Sequence, residues 1–529
     1  MSSISSEPAG KAKRDSTAQG LPSLGVAHGN AAIGVRNARL QYLRGFAAVT
    51  VMLYHCSGYL EQMRGDARFL VVFSGYWGAY GVAVFFVLSG YLMSGLSARG
   101  EALRFLLDRV LRIYPLLLIV IAIAALAYLV TGFWRRPDFI ALSLVPAGPR
   151  DYFLGIEWTL LFEMTYYVVI ATMMLAGLRS WLQVVFAAWL GALAITSLVG
   201  SFPQTLTPTL SQLFTQSANA AFLMGFLLPA LLRLRWLPPA AVLYSAAALV
   251  TGLFFILPNG DPRWFAALSS LLLLAGALTT KRPTGNGLAH RVGVRLGDSS
   301  YALYLCHVPV IVVTGNIVST GLPSYLLWAG WATAALAAAL ALGSLDLRLH
   351  RKLKAWAGGL SRSRIAMLSS GFLIAFATIA IGSDVSTRQT MRAEAAARAA
   401  LADATPQTWP TVVSAIDSSN VLQNGRLVVR GYGIDLASPD DDAYIAIRQG
   451  DRIIGFDRMR RMRPKIAEEL KRPDLASIRF GFSVVTDGPF VCAQGPLIAS
   501  LILPDGRVAP IGTDVLDAIC PKGSAPPAP

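Results

Sequence analysis

Apolar positions along this chain follow two rhythms. Between residues 39 and 383 they form near-continuous blocks of about 20 residues, the length an α-helix needs to cross a bilayer. Polar and basic stretches separate the blocks. Candidate spans fall near 39–60, 76–97, 110–131, 155–177, 181–200, 209–232, 238–257, 262–280, 299–320, 324–345 and 365–383. Pro203, Pro208, Pro229 and the pair Pro238–Pro239 interrupt the middle of this series, where boundaries are least regular. From about Trp409 the rhythm shortens. NGRLVVRGYGIDL, AYIAIRQGDRIIGF, IRFGFSVV and LIASLILPDGRVAPI are short β-rich runs divided by Gly, Pro, Asn and Asp. RRMRPKIAEELKRPD between them reads as a loop with a helical turn.

The pattern predicts an all-α polytopic membrane bundle, about ten core transmembrane helices plus an eleventh linking helix. A small extracytoplasmic all-β sandwich-like domain follows. The expected divisions are a disordered cytoplasmic leader at 1–37, a membrane domain at 38–345, and a basic cytoplasmic loop with the eleventh helix at 346–384. A linker at 385–408 and the β-domain at 409–529 complete the chain.

Composition agrees with a membrane protein carrying a water-soluble part: 54% hydrophobic and 14% charged residues, with a mean hydropathy of +0.53. The net charge of +16 is compatible with nucleic acid until the charges are placed. Outside the tail they gather in alternate loops: Arg99, Arg104, Arg109 and Arg112; Arg179; Arg233 and Arg235; Lys281, Arg282, Arg291 and Arg295; and the run from Arg348 to Arg364. That alternation is the positive-inside signature, with Arg135, Arg136 and Arg150 as exceptions. It puts the leader in the cytoplasm and, after eleven spans, the tail outside. No nucleic-acid motif is present. In an oxidising compartment Cys492 and Cys520 of the tail can pair, while Cys56 and Cys306 lie within apolar helices.

Ionisable residues within spans carry the candidate chemistry. Arg44 and His55 are eleven residues apart, which returns to nearly one helix face and separates them by roughly 16 Å along the axis. Histidine suits proton transfer near neutral pH. Hydrogen bonding to a neighbouring helix for His55, and snorkelling for Arg44, would use the same residues. Ser89 and Gly90 in GVAVFFVLSGYLMS suit close helix approach. Arg109 and Arg112 in RVLRIYP serve either membrane anchoring or a phosphate clamp. Glu163 in EWTLLFEMTYY lies about 12 Å deep from the outer side, level with His55, and His55 or a water is its expected partner. Glu157 is expected to be solvated. Ser300, Tyr301, Tyr304 and His307 enter from the cytoplasmic side in GDSSYALYLCHVP. The pairs His55–Cys56 and Cys306–His307 suit zinc poorly, because adjacent helical residues point about 100° apart, and no metal is expected.

Taken in order, RGFAAVTVMLYH, FFVLSGYLMS, RVLRIYP, WTLLFEMTYY and SYALYLCH resemble the acyltransferase 3 family of integral membrane O-acyltransferases. The resemblance covers about residues 38–345. It implies transfer of an acyl group, with acetyl the expected one, from cytoplasmic acyl-CoA to a hydroxyl of a surface glycan or lipid-linked saccharide. It implies catalytic importance for Arg44 and His55, and its glutamate position falls on Glu163. In the mechanism expected from these positions His55 and Glu163 are catalytic, while Arg44, Arg109 and Arg112 at the cytoplasmic mouth are acyl-CoA-binding. Phe85, Phe86, Ser89, Trp158, Ser300, Tyr301, Tyr304 and His307 become candidates for lining the site. Acetyl-CoA would be a substrate, with no permanently bound cofactor. The family's fused versions end in an esterase-like domain with a serine nucleophile and an Asp/His pair, but this tail contains no histidine beyond residue 384. The expected setting is a bacterial inner membrane, with the β-domain in the periplasm. A transporter of lipid-linked sugar with a periplasmic sensor domain is the alternative, which would use intramembrane charge without chemistry. The acceptor hydroxyl and the oligomeric state are left open.

Overall fold

The structure, a computed structural model, describes residues 38–519 apart from 132–136, 201–203, 234–237, 258–260, 281–286, 318–320, 404, 422–425, 440–441, 451, 489–491, 493–494, 513 and 518. The expected leader, Arg135, Arg136, Arg235, Lys281, Arg282 and Cys520 therefore lie outside the described residues.

In chain order the helices are α1 (Ala38–Arg64), α2 (Arg68–Val72), α3 (Gly75–Ser97), α4 (Ala102–Val130), α5 (Phe139–Leu142), α6 (Trp158–Leu175), α7 (Leu182–Val199) and α8 (Leu210–Phe214). They continue with α9 (Asn219–Arg233), α10 (Ala240–Ile256), α11 (Pro262–Thr279), α12 (Leu288–Asp298), α13 (Ser300–Ile317), α14 (Ser324–Gly358) and α15 (Arg362–Asp403). Seven strands follow: β1 (Val412–Val421), β2 (Leu427–Asp435), β3 (Tyr444–Gln449), β4 (Arg452–Arg458), β5 (Gly481–Val485), β6 (Leu497–Ile502) and β7 (Val508–Ile511). Short helices α16 (Pro464–Glu469) and α17 (Asp514–Asp517) lie among and after them.

Among the described residues, eight helical stretches are long and apolar enough to cross a membrane. Helices α9 and α10 are apolar but shorter, and α1 has the length but a more polar composition. Each expected span overlaps one of these helices. Outward-facing Leu126, Leu198 and Ile256 are 64%, 88% and 74% exposed, a surface suited to lipid. The expected 209–232 span is broken, because Thr209 caps α8 with Gln212 in a capping box. The amide of Asn219 then donates to the carbonyls of Leu213 (2.7 Å) and Gln216 (2.9 Å), which holds the turn into α9.

The chain divides into two compact units, Met1–Leu92 with Ala221–Arg351 and Met93–Ala220 with Lys352–Pro529. In the first, glycines set the helix crossings. A Cβ at Gly90 would sit 2.1 Å from the Phe222 carbonyl oxygen, and one at Gly225 would sit 2.1 Å from that of Val87. Helices α3 and α9 can therefore meet backbone to backbone only because both positions lack a side chain. Gly81 gives α3 the same approach to α1 at Ala47 and Val51.

In the second unit, Ser369 Oγ of α15 donates to the Leu103 carbonyl of α4 at 2.8 Å. Asp384 accepts from the backbone N–H (3.0 Å) and hydroxyl (2.6 Å) of Ser211. The expected eleventh span and most of the expected linker form one continuous α15. Its last turns place Ala397 and Leu401 against Tyr444, Ala446, Ile502 and Val508. The β-region is the expected antiparallel sandwich, with one sheet ordered β1-β2-β5 and the other β4-β3-β6-β7. Alternate residues point inward, so Leu427 and Val429 of one sheet join Ile445, Ile447, Ala499 and Leu501 of the other in one core.

Candidate active site

Helices α1 and α13 bring two histidines together in the first unit. His55 Nδ1 lies 2.9 Å from the Val51 carbonyl oxygen, and His307 Nδ1 lies 3.0 Å from that of Leu303. A carbonyl only accepts, so each ring carries its neutral-state proton on Nδ1. His307 Nε2 is then an acceptor, and it sits 3.2 Å from His55 Nδ1. The His55 proton is shared between Val51 and His307. That arrangement assigns the basic lone pair of His55 to Nε2, which has no hydrogen-bond partner among the described residues. His307 is fully buried while His55 is partly exposed, so the outer ring can meet a substrate and the inner one holds it.

Aromatic rings enclose the pair. Tyr54 and His55 have centroids 4.9 Å apart, Tyr304 and His307 6.0 Å, and Phe85 and Tyr304 5.9 Å. Two residues beyond His55, Ser57 accepts from Trp328 Nε1 at 3.0 Å, and Trp328 stacks on Phe69 of α2 at 4.7 Å. Phe86 and Ser89 are buried on α3, and Ser300 is buried with its hydroxyl donating to the Gly297 carbonyl at 2.7 Å. That bond gives Ser300 a structural role at the start of α13. Tyr301 is partly exposed there. Arg44 is partly buried in the second turn of α1, and the single helix preserves the roughly 16 Å rise between it and His55. Among the described residues, no group of three or more His, Cys, Asp or Glu side chains is placed to hold a metal.

The remaining candidates belong to the second unit. Glu163 is partly buried on α6 and accepts a hydrogen bond from the Tyr167 hydroxyl one turn further on. The expected His55–Glu163 pair is divided between the units, with His55 in the first and Glu163 in the second. Trp158 packs edge-on against Phe162 at 6.0 Å. Arg109 and Arg112 lie on the second and third turns of α4, and Arg109 keeps a buried Nε without a hydrogen-bond partner among the described residues. The expectation of a solvated Glu157 is incorrect. Glu157 is 1% exposed, and its carboxylate accepts the backbone N–H groups of Leu154 (2.7 Å) and Ile156 (3.0 Å). It fastens the turn that leads into α6. Its position near a helix end concealed this, because a fold-back of the chain over one to three residues leaves no periodic signal.

The family model described as an acyltransferase domain matches residues 37–345, more than half of the chain and all of the helices that carry the histidine pair. The chain belongs to the acyltransferase 3 family. It is a multi-pass membrane acyltransferase, which sets aside the transporter alternative. The chain is 30% identical to the exopolysaccharide production protein ExoZ of Rhizobium meliloti (strain 1021) over 269 residues, 47% of this chain and 82% of that protein. It is 32% identical to nodulation protein 10 of Rhizobium leguminosarum bv. viciae over 177 residues, 28% of this chain and 46% of that protein. No solved structure matches it. Both histidines and Arg44 lie inside the family match, whereas the β-sandwich lies wholly beyond it. The pairing of His55 with His307 had no local signal in sequence. Only the nearness of α1 and α13 reveals it.

Proposed function

We propose that this acyltransferase moves an acyl group, acetyl in the first instance, from coenzyme A to a hydroxyl of an exported or cell-surface glycan. The observation that carries the proposal is the His55 imidazole, with Nε2 open and Nδ1 held by Val51 and His307. The glycan as acceptor rests on the similarity to ExoZ, an exopolysaccharide production protein.

In this mechanism neutral His55 takes the proton of the acceptor hydroxyl on Nε2 as the oxygen attacks the thioester carbonyl. The new C–O bond forms, and the tetrahedral intermediate expels the thiolate as the C–S bond breaks. The imidazolium then returns its proton to the departing sulfur, so free thiol and neutral His55 are restored. No covalent acyl-enzyme is needed. The positive charge exists only during the reaction, and the Val51 carbonyl and the His307 lone pair both face it. Arg44 serves the donor's phosphates from the other end of the same face, because a guanidinium holds phosphate well and cannot act as a base. Arg109 and Arg112 are proposed to bind donor on the family motif and their charge. Glu163 enters as a residue required for the reaction on its family position, with Glu163→Gln as its test. An odd number of spans after a cytoplasmic amino terminus would place the β-sandwich in the periplasm of a bacterial inner-membrane protein.

The decisive experiment measures thiol release from acetyl-CoA by purified protein supplied with exopolysaccharide oligosaccharide. Arg44→Ala should raise the half-saturating donor concentration, with a smaller effect on a donor that lacks the nucleotide phosphates. His55→Ala should lower the maximal rate by on the order of 10²-fold or more and leave donor affinity in place. A folded His55→Ala protein with the parent rate would remove the general base from this mechanism.

A further inference from the structure

Helix α12 has two unlike sides. One is glycine-lined and lies on the first turns of α1: a Cβ at Gly297 would meet the Gln41 carbonyl oxygen at 2.2 Å, and one at Gly293 would meet the Tyr42 ring at 2.7 Å. The other side faces α14 across a cavity of about 600 Å³. Leu340, Gly343 and Leu347 of α14 line it, opposite Arg291 and Arg295 of α12. The stripe arises because residues four apart on a helix share a face. His290 lines this cavity and a second one of about 310 Å³ against α1, and its Nδ1 is 2.6 Å from the Tyr42 hydroxyl.

Arg291 and Arg295 are exposed and form no ion pair or hydrogen bond among the described residues. Asp298 and Ser299 also line the groove, so the stripe carries two guanidinium groups against one carboxylate. Membrane anchoring accounts for basic residues on a helix that ends near a span, but not for an open, apolar-floored groove beneath them. One helical turn, about 6 Å, separates the two arginines. That spacing lets both reach the oxygens of one phosphate or of two linked phosphates. The contact of Gly297 with Gln41 also puts the groove at the Arg44 end of α1. From Gly45, which touches Leu296, His55 lies roughly 15 Å along that helix, a distance an extended pantetheine chain can span.

We infer that the α12–α14 groove receives the phosphate-bearing nucleotide end of the acyl donor, with Arg291 and Arg295 holding phosphate oxygens. This rests on the coenzyme A donor of the proposed function. An anionic lipid headgroup offers the same phosphate chemistry, so the test separates the two sources. Full-length protein is placed in nanodiscs of phosphatidylcholine alone or with phosphatidylglycerol, and equilibrium binding of coenzyme A is measured with competition by pantetheine. The Arg291→Ser/Arg295→Ser protein should bind coenzyme A about tenfold or more weakly in both lipids, with pantetheine competition unchanged. Unaltered coenzyme A affinity in that variant would overturn the groove assignment alone. A loss confined to discs with phosphatidylglycerol would overturn it in favour of a headgroup site. Parent protein that binds no coenzyme A would overturn the donor reading, and this inference with it.

Discussion

Replacing His307 with leucine tests whether the second histidine supports the reaction or only fills the core. His307 Nε2 is 3.2 Å from His55 Nδ1 and faces a proton that, in the proposed mechanism, becomes part of a cation. A hydrogen bond to a charged group contributes about 1.5–3 kcal/mol. The 3.2 Å separation is at the long end of the range, and the Val51 carbonyl at 2.9 Å shares the same proton, so the lower part of that range applies. A loss of about 1.5–2 kcal/mol corresponds to roughly a 10- to 30-fold fall in kcat. Because the charge forms only on proton uptake, donor KM should stay where it is. His307→Gln returns an acceptor near the Nε2 position and should recover most of the rate. The assay is steady-state thiol release, with size-exclusion and thermal unfolding profiles matched to the parent. A folded His307→Leu protein with parent kcat would refute the reasoning. So would a glutamine variant as slow as the leucine one, which would assign the loss to packing.

Glu157→Leu leaves two buried backbone N–H groups without their acceptor, at a cost of about 2–4 kcal/mol, and should lower the thermal midpoint in detergent clearly; an unchanged midpoint would count against that role. In the sandwich, burial alone would raise the Asp435 carboxyl, but hydrogen bonds from Thr411, the Ala437 N–H and Arg507 outweigh it and hold it below its ordinary value. Its stabilisation is therefore in place above about pH 4 and is lost as pH falls through the folded-state value. Acid titration followed by the β-sheet circular dichroism signal should show a shallower decline for Asp435→Asn, and identical slopes would contradict this. Cys492 is disulfide-bonded, and Cys520 is its proposed partner. Non-reducing peptide maps should recover that linked pair; two free thiols in oxidised material would rule it out, and a carboxyl-terminal reporter active only in the cytoplasm would reverse the orientation.

Features set by local repetition were legible in the sequence. The length of each apolar block predicts a spanning helix because the bilayer demands about 20 residues. The change to short alternating runs after Trp409 predicts the sandwich, because strand residues alternate between two faces. Arg44 and His55 share a helix face by arithmetic, since eleven residues are close to three turns. Contacts between distant segments carry no such period. His55 and His307 are 252 residues apart, and nothing in either neighbourhood specifies which ring accepts. Gly90 and Gly225 each read as a small residue, yet only the crossing of α3 and α9 makes both necessary. Glu157 looks like an ordinary polar residue before a helix until the chain folds back and presents two N–H groups to it. Arg291 and Arg295 read as loop cations, and it is the packing of α12 on α1 that turns them over a groove. Sequence sets the elements through short-range sterics and the bilayer. Tertiary packing decides which side chains exchange protons or share a ligand, because those interactions depend on distances of about 3 Å between residues far apart in the chain.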